Sequence, residues 1–131
     1  GKNPSNNLKK RINGCENVNL IESPTDQMLE ELISNAHVNV FYSFQSSGVK
    51  IKLINALFKG RFCFINPSYI SNSVFKSLCE VIYDDDNWIS ELKLIFSKSY
   101  TDAELKSRMR QLKLFKNKHN SELLMKLVFD E

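Results

Sequence analysis

The sequence predicts an α/β fold in which helices cover both faces of a parallel sheet of about four strands. Short apolar runs of strand length alternate along the chain with longer stretches that have helical periodicity. Residues 62–65 are nearly all apolar, as expected for a strand that is buried on both faces. Alternation of this kind requires right-handed crossovers and therefore favours a Rossmann-like parallel sheet.

Two helices and two strands are expected in the first third of the chain. In chain order they are a helix at about 5–14, a strand at 18–21, a helix at 24–36 and a strand at 38–42. Gly14 is suited to end the first helix. Ser23 is expected to cap the second helix, with Pro24 at its first position, because both residue types favour helix starts.

The rest of the chain continues the alternation. The expected elements are a helix at about 49–59, a strand at 62–65, a loop at 67–73 suited to a lid, a short helix at 74–78 and a strand at 80–83. Gly60 is expected to be the C′ residue of the first of these helices. Aspartates at 84–86 are expected to cap the next helix, and Thr101 with Glu104 predicts a capping box for long terminal helices at about 101–129.

Composition excludes several classes of function. The 131 residues suit a single domain with a hydrophobic core, and a formal net charge of +3 is too small to indicate nucleic-acid binding. The sequence contains no signal peptide and no run approaching the roughly 18 apolar residues of a membrane span. Three cysteines and two histidines lack metal-ligand spacing, which predicts no metal site and a reducing, cytoplasmic compartment.

The terminal helices are rich in basic residues. A solvated face is the favoured interpretation, and the alternatives are contact with nucleic acid or a peripheral position at the anionic inner membrane face. The residues concerned are Arg108, Arg110, Lys113, Lys116, Lys118 and Lys126.

The corner that follows the strand at 38–42 carries the strongest functional signal. A helix start presents unpaired N–H groups and the positive end of its dipole, and both favour a phosphate. We expect a diphosphate to be bound by Ser47, Gly48, Val49, Lys50 and Lys52. The alternative is that the glycine merely permits a tight turn.

Asn55 and Phe44, which lie near this corner, are further candidates for ligand contact. Lys52 and Asn55 share one side of the predicted helix, so that a nucleotide can lie along it, although a solvated face also explains the pattern. Phe44 lies at the carboxyl end of the preceding strand, where open parallel sheets bind ligands. It either flanks a donor or serves packing alone.

Residues 52–64 resemble the donor-nucleotide domain of GT-B glycosyltransferases, specifically the retaining, family-4-like group. The family segment Lys-Leu-x-Glu-Ala-Leu-x-x-Gly-x-Pro-Val-Val corresponds here to Lys-Leu-Ile-Asn-Ala-Leu-Phe-Lys-Gly-Arg-Phe-Cys-Phe. The resemblance implies a nucleoside diphosphate sugar as donor substrate, no cofactor and no metal. Ser47 and Asn55 stand where the family has two glutamates, and the resemblance implies that Asn55 binds the donor ribose.

The resemblance also implies that the chain is a truncated nucleotide-sugar-binding domain. The family's acceptor-binding domain and first two donor-domain strands would lie before residue 1, so we expect the isolated chain to be inactive. We expect the open flank of the strand at 38–42 to pair either with the strand at 18–21 or with another copy of the chain. The catalytic residues remain unassigned. The alternative function is a non-catalytic, Rossmann-like interaction module.

Overall fold

The computed structural model describes residues 3–44, 51–69, 73–83 and 85–115. Within these ranges the fold is α/β, with one three-stranded parallel sheet in the order β1-β2-β3. The strands are β1 (Val38–Phe41), β2 (Phe62–Ile65) and β3 (Glu80–Val81). In the register of the sheet, Val38 is aligned with Phe62, and Phe64 is aligned with Glu80. The predicted α/β class and parallel arrangement are therefore confirmed.

Helices separate the strands along the chain, as crossover connections require. They are α1 (Asn6–Asn13), α2 (Asp26–Asn35), α3 (Ile51–Lys59), α4 (Ser73–Leu78), α5 (Trp88–Ser97) and α6 (Asp102–Gln111). Short 3₁₀ turns lie at Pro67–Tyr69, Asp85–Asn87 and Leu112–Phe115. Within the described ranges, none of the helices has the length and apolar character needed to cross a bilayer.

Alternating side chains of β2 divide the core into two clusters. Cys63 and Ile65 pack with residues of α3, with Phe75 of α4 and with Leu112. Phe64 packs instead with Ile95 of α5 and with Ile82. Because neighbouring strand residues point to opposite faces, helices cover the sheet on both sides.

The chain divides into two compact units, residues 1–32 and residues 33–131. The first contains α1, which Ser5 caps by accepting a hydrogen bond from the Leu8 N–H at 3.2 Å. The second contains the sheet. The assignment of the whole chain to a single domain stays a prediction.

The prediction of a strand at residues 18–21 is wrong. This segment has no strand pairing, and its first residue, Val18, donates its N–H to the Cys15 carbonyl at 3.4 Å in a turn. Asparagines at 17 and 19 interrupt the short apolar run, and asparagine is depleted in strands. The sheet therefore has three described strands instead of four, and β1 lies at its edge. Pairing of that edge with another copy stays a prediction.

Two predicted helix caps are wrong. Ser23 adopts a left-handed φ of 45°, and Thr25 caps α2 by accepting a hydrogen bond from the Met28 N–H at 3.2 Å. Asp85 and Asp86 do not cap α5, because residues 85–87 form a 3₁₀ turn and Asn87 is the N-cap without a side-chain bond. Asp84 itself lies outside the described residues.

The capping box predicted for α6 is confirmed. The Thr101 N–H donates to the Glu104 carboxylate at 2.7 Å, and the Glu104 N–H donates back to the Thr101 hydroxyl at 3.3 Å. The α-helix ends at Gln111 and a 3₁₀ turn follows. The remainder of the predicted helical stretch, from residue 116 onward, lies outside the described residues.

Candidate functional site

Asn66 holds the backbone that follows β1, at the carboxyl end of the sheet. It follows β2 directly, and its side chain accepts a hydrogen bond from the Ser43 N–H at 3.0 Å and donates to the Ser43 carbonyl at 2.8 Å. Only 6% of Asn66 is exposed, and an amide that both accepts and donates satisfies both backbone groups of Ser43 there. These two bonds therefore fix the backbone at Ser43, shortly before residues 45–50. Sequence reasoning missed this role, whose only signal is a polar residue directly after an apolar strand.

A row of aromatic side chains extends from the core to the surface at the same end of the sheet. The row consists of Phe64, Trp88, Tyr42 and Phe44, with successive ring centroids 4.8 Å, 5.7 Å and 5.2 Å apart. Phe64 is buried, whereas Phe44 is 93% exposed. Phe44 therefore packs on Tyr42 by one edge and leaves most of its ring uncovered. Its exposed ring offers a flat surface on which another planar group can stack.

The described part of the predicted diphosphate site lies on α3. Lys52 and Asn55 are both exposed, while Leu53, Ala56 and Leu57 are buried on the opposite side of the helix. The exposed side that the two residues share is compatible with the predicted nucleotide contact and with the alternative of a solvated face. The other predicted contacts lie outside the described residues, and their role stays a prediction: Ser47, Gly48, Val49 and Lys50.

A separate cleft lies at the opposite, amino end of the strands. This amino-end cleft has a volume of about 290 Å³. Its walls come from the starts of β2 and β3, from α6 and from the segment before α6, and include Cys63, Cys79, Glu80, Tyr100, Glu104 and Arg108. Sequence reasoning did not identify it, because these residues are scattered along the chain and only the fold brings them together.

Arg108 is the central residue of the amino-end cleft. It is only 5% exposed, and its guanidinium donates hydrogen bonds to the backbone carbonyls of Gly60 and Arg61. The guanidinium also lies 4.9 Å from the centroid of the Tyr100 ring, at a distance suited to a cation–π contact. The interpretation of Arg108 as part of a solvated face is therefore wrong.

The two cysteines of the cleft are not suited to nucleophilic chemistry. Burial raises the pKa of the Cys63 thiol to about 12, against the opposing effect of the Arg108 charge. Burial also raises the pKa of Cys79, and the neighbouring Cys63 adds to that effect. Both thiols are therefore protonated at neutral pH. The described ranges contain no group of three or more His, Cys, Asp or Glu residues arranged to hold a metal ion.

Comparisons with known proteins give no indication of function, so the function is inferred from the geometry of the structure. Neither a protein-family model, nor a curated protein, nor a solved structure matches the chain.

Proposed function

We propose that this chain is the nucleotide-sugar-binding part of a glycosyltransferase that transfers a sugar from a nucleoside diphosphate to a hydroxyl acceptor. The donor site lies at the carboxyl end of the sheet, where open α/β sheets bind ligands. In this proposal an acceptor-binding domain belongs to a part of the protein before residue 1. The isolated chain then binds donor but does not transfer it.

The exposed ring of Phe44 is the observation that carries the proposal. It ends the aromatic row directly before residues 45–50, at a point where Asn66 fixes the backbone of Ser43. A ring exposed to 93% and held by its edge contact with Tyr42 is suited to stack on a nucleobase. Stacking of a base on an aromatic side chain contributes about 1–3 kcal/mol in nucleic-acid complexes.

The other contacts follow from the position of α3 in the chain. With the base at Phe44, we assign the diphosphate to residues 47–50, which lie outside the described residues, and Lys52 supplies positive charge from the first turn of α3. Asn55, one turn later, supplies an amide that both donates and accepts hydrogen bonds, as the ribose hydroxyls require. Positioned N–H groups and a lysine stabilise the leaving diphosphate, which is the main requirement of this transfer reaction.

The second candidate is a non-catalytic interaction module, and the edge of the sheet favours it. β1 lies at the edge, and its residue Val40 is 49% exposed. An edge strand with an exposed apolar side chain can pair with another protein chain. Under this interpretation the chain recognises a protein partner and Phe44 belongs to the contact surface.

Calorimetric titration of the full 131-residue chain with UDP, GDP and their sugar conjugates tests the proposal. We expect saturable binding of at least one nucleotide, and a loss of affinity of about tenfold or more in Phe44→Ala and in Asn55→Ala. Phe96→Ala is the matched control, because Phe96 is also an exposed aromatic residue but stacks on His37 at the amino end of the sheet. Absence of binding by all of these nucleotides would contradict the donor site and favour the interaction module.

A further inference from the structure

We propose that the amino-end cleft binds a small carboxylic acid, with Arg108 and Tyr100 as the groups that hold its carboxylate. This site lies at the end of the sheet opposite the proposed donor site, and it does not depend on the proposed function. Three features of the described residues support this site: two buried polar atoms without a partner, a guanidinium without an ion pair, and the shape of the cleft.

Two buried polar atoms in the walls of the cleft have no hydrogen-bond partner in the described part of the chain. They are the Arg108 Nε and the Tyr100 hydroxyl oxygen, neither of which forms a hydrogen bond with any residue that the structure describes. Arginine has five N–H donors, and the described bonds to Gly60 and Arg61 use only two nitrogens, the terminal ones. Buried donors without partners are costly, and a ligand that accepts from them removes that cost.

Among the residues that the structure describes, no carboxylate compensates the charge of Arg108 either. Glu80, the first residue of β3, forms an ion pair with Lys98 at 2.8 Å. The Glu104 carboxylate accepts hydrogen bonds from the N–H and the hydroxyl of Thr101. Within the described ranges, no ion pair joins Arg108 to an acidic side chain. The carbonyl end of α3 offsets only part of the buried charge, so a bound anion is favoured.

The geometry and the rim of the cleft favour a carboxylate over a phosphate. A guanidinium presents a flat fork of donors that matches the two oxygens of a carboxylate. Glu80 and Glu104 line the same cleft, and their negative charges repel a dianionic phosphate more strongly than a monoanion. The volume of about 290 Å³ corresponds to a small metabolite, and Phe62 and Leu78 supply apolar walls for its remaining part.

Tyr100 is placed to admit the ligand. It lines the amino-end cleft and also a neighbouring cavity, whose other walls include His37, Phe96 and Lys98. Because Tyr100 borders both cavities, we expect its ring to tilt away from the guanidinium while a carboxylate takes up the Arg108 Nε–H and the phenol O–H. Burial raises the pKa of Tyr100, so the phenol is protonated and donates at neutral pH.

NMR titration of the full chain tests this inference. Benzoate and acetate are added in turn while the Nε–H resonances of the arginines are followed. We expect a saturable shift of the Arg108 resonance and none at Arg11 or Arg110, which are exposed and lie outside the cleft. Absence of a saturable shift at Arg108 with both acids would overturn the proposal, and so would tighter binding of inorganic phosphate.

Two tyrosine variants separate ligand binding from a purely structural role. Tyr100→Phe keeps the ring against Arg108 and removes only the unpartnered hydroxyl, so we expect an unchanged or raised melting temperature and carboxylate binding weakened about tenfold. Tyr83→Phe removes a hydroxyl from an exposed tyrosine outside the cleft and should leave the affinity unchanged. Equal affinities of Tyr100→Phe and the unmodified chain would refute the role of the phenol.

Discussion

The guanidinium of Arg108 donates a hydrogen bond to the Gly60 carbonyl, so a residue of α6 closes the carboxyl end of α3. A second bond, to Arg61, holds the chain as it enters β2. A cation is favoured at this end of a helix, because the last carbonyls carry the negative end of the helix dipole. One side chain thus fixes the connection between α3 and the central strand of the sheet.

Replacement of this side chain should destabilise the fold. Arg108→Met leaves the two carbonyls without their donor inside the protein, and we expect a loss of about 2–4 kcal/mol in the free energy of unfolding. Urea denaturation measures the loss. Arg110→Met is the matched control on the exposed side of the same helix, and it should change stability by less than about 0.5 kcal/mol. Equal effects of the two substitutions would contradict the role assigned to Arg108.

Gly60 should not tolerate a larger side chain. A Cβ atom at this position would lie 2.5 Å from Asn39 Nδ2 and 2.9 Å from the Ala56 carbonyl oxygen. The glycine is therefore required by close approach of neighbouring atoms at the end of α3. We expect Gly60→Ala to cost about 1–3 kcal/mol in thermal or urea unfolding.

Gly14 provides the control for this substitution. A Cβ there would meet only the Arg11 carbonyl oxygen, at an ordinary 3.7 Å, and the residue has a φ of −88° that alanine also adopts. Gly14→Ala should therefore leave stability unchanged or raise it by up to about 1 kcal/mol. A larger loss for Gly14→Ala than for Gly60→Ala would contradict the steric argument.

Asn66 should control the backbone at the exit of β1. Asn66→Ala removes both hydrogen bonds to Ser43, and we expect a loss of about 2–3 kcal/mol in the free energy of unfolding and faster hydrogen exchange of the Ser43 amide. Asn66→Asp keeps an acceptor for the Ser43 N–H but loses the donor. Its free energy of unfolding should therefore lie between those of the unmodified chain and Asn66→Ala. An unchanged hydrogen-exchange rate of the Ser43 amide in Asn66→Ala would contradict the role assigned to Asn66.

Glu104 should make stability depend on pH at acidic values. Hydrogen bonds from the Thr101 backbone N–H and then from its hydroxyl lower the pKa of the Glu104 carboxyl. Because the folded-state pKa is below the unfolded-state pKa, the added stability is present above the unfolded value and is lost as the pH falls through the folded value. Glu104→Gln should flatten this part of the pH–stability curve. An unaltered acid limb in that variant would contradict the assignment.

The three cysteines should differ in reactivity. Cys15 is exposed, whereas burial raises the pKa of Cys63 to about 12 and also raises that of Cys79. Because the thiolate is the reactive form, a thiol reagent at neutral pH should modify Cys15 first and the other two only on unfolding. Mass spectrometry of the partly modified chain identifies the order. Early modification of Cys63 would show that the core around β2 opens readily.

The periodicity of the sequence predicts most of the elements because local patterns produce them. The apolar run of β2 and the capping pair Thr101–Glu104 are short-range signals, and both are confirmed. The segment at 18–21 shows the limit, since a strand forms only where a neighbouring strand can pair with it. Burial of Arg108 could not be predicted either, because its partners at Gly60 and Arg61 lie far from it in the sequence.

The bond between α6 and the end of α3 sets the smallest portion of this protein that is worth excising. A fragment that stops after β3 would keep all three strands and α3, yet the carbonyls of Gly60 and Arg61 would lose their donor. Anyone grafting α3 and β2 into a new scaffold must therefore transplant α6 with them, or engineer a substitute cation at the same place.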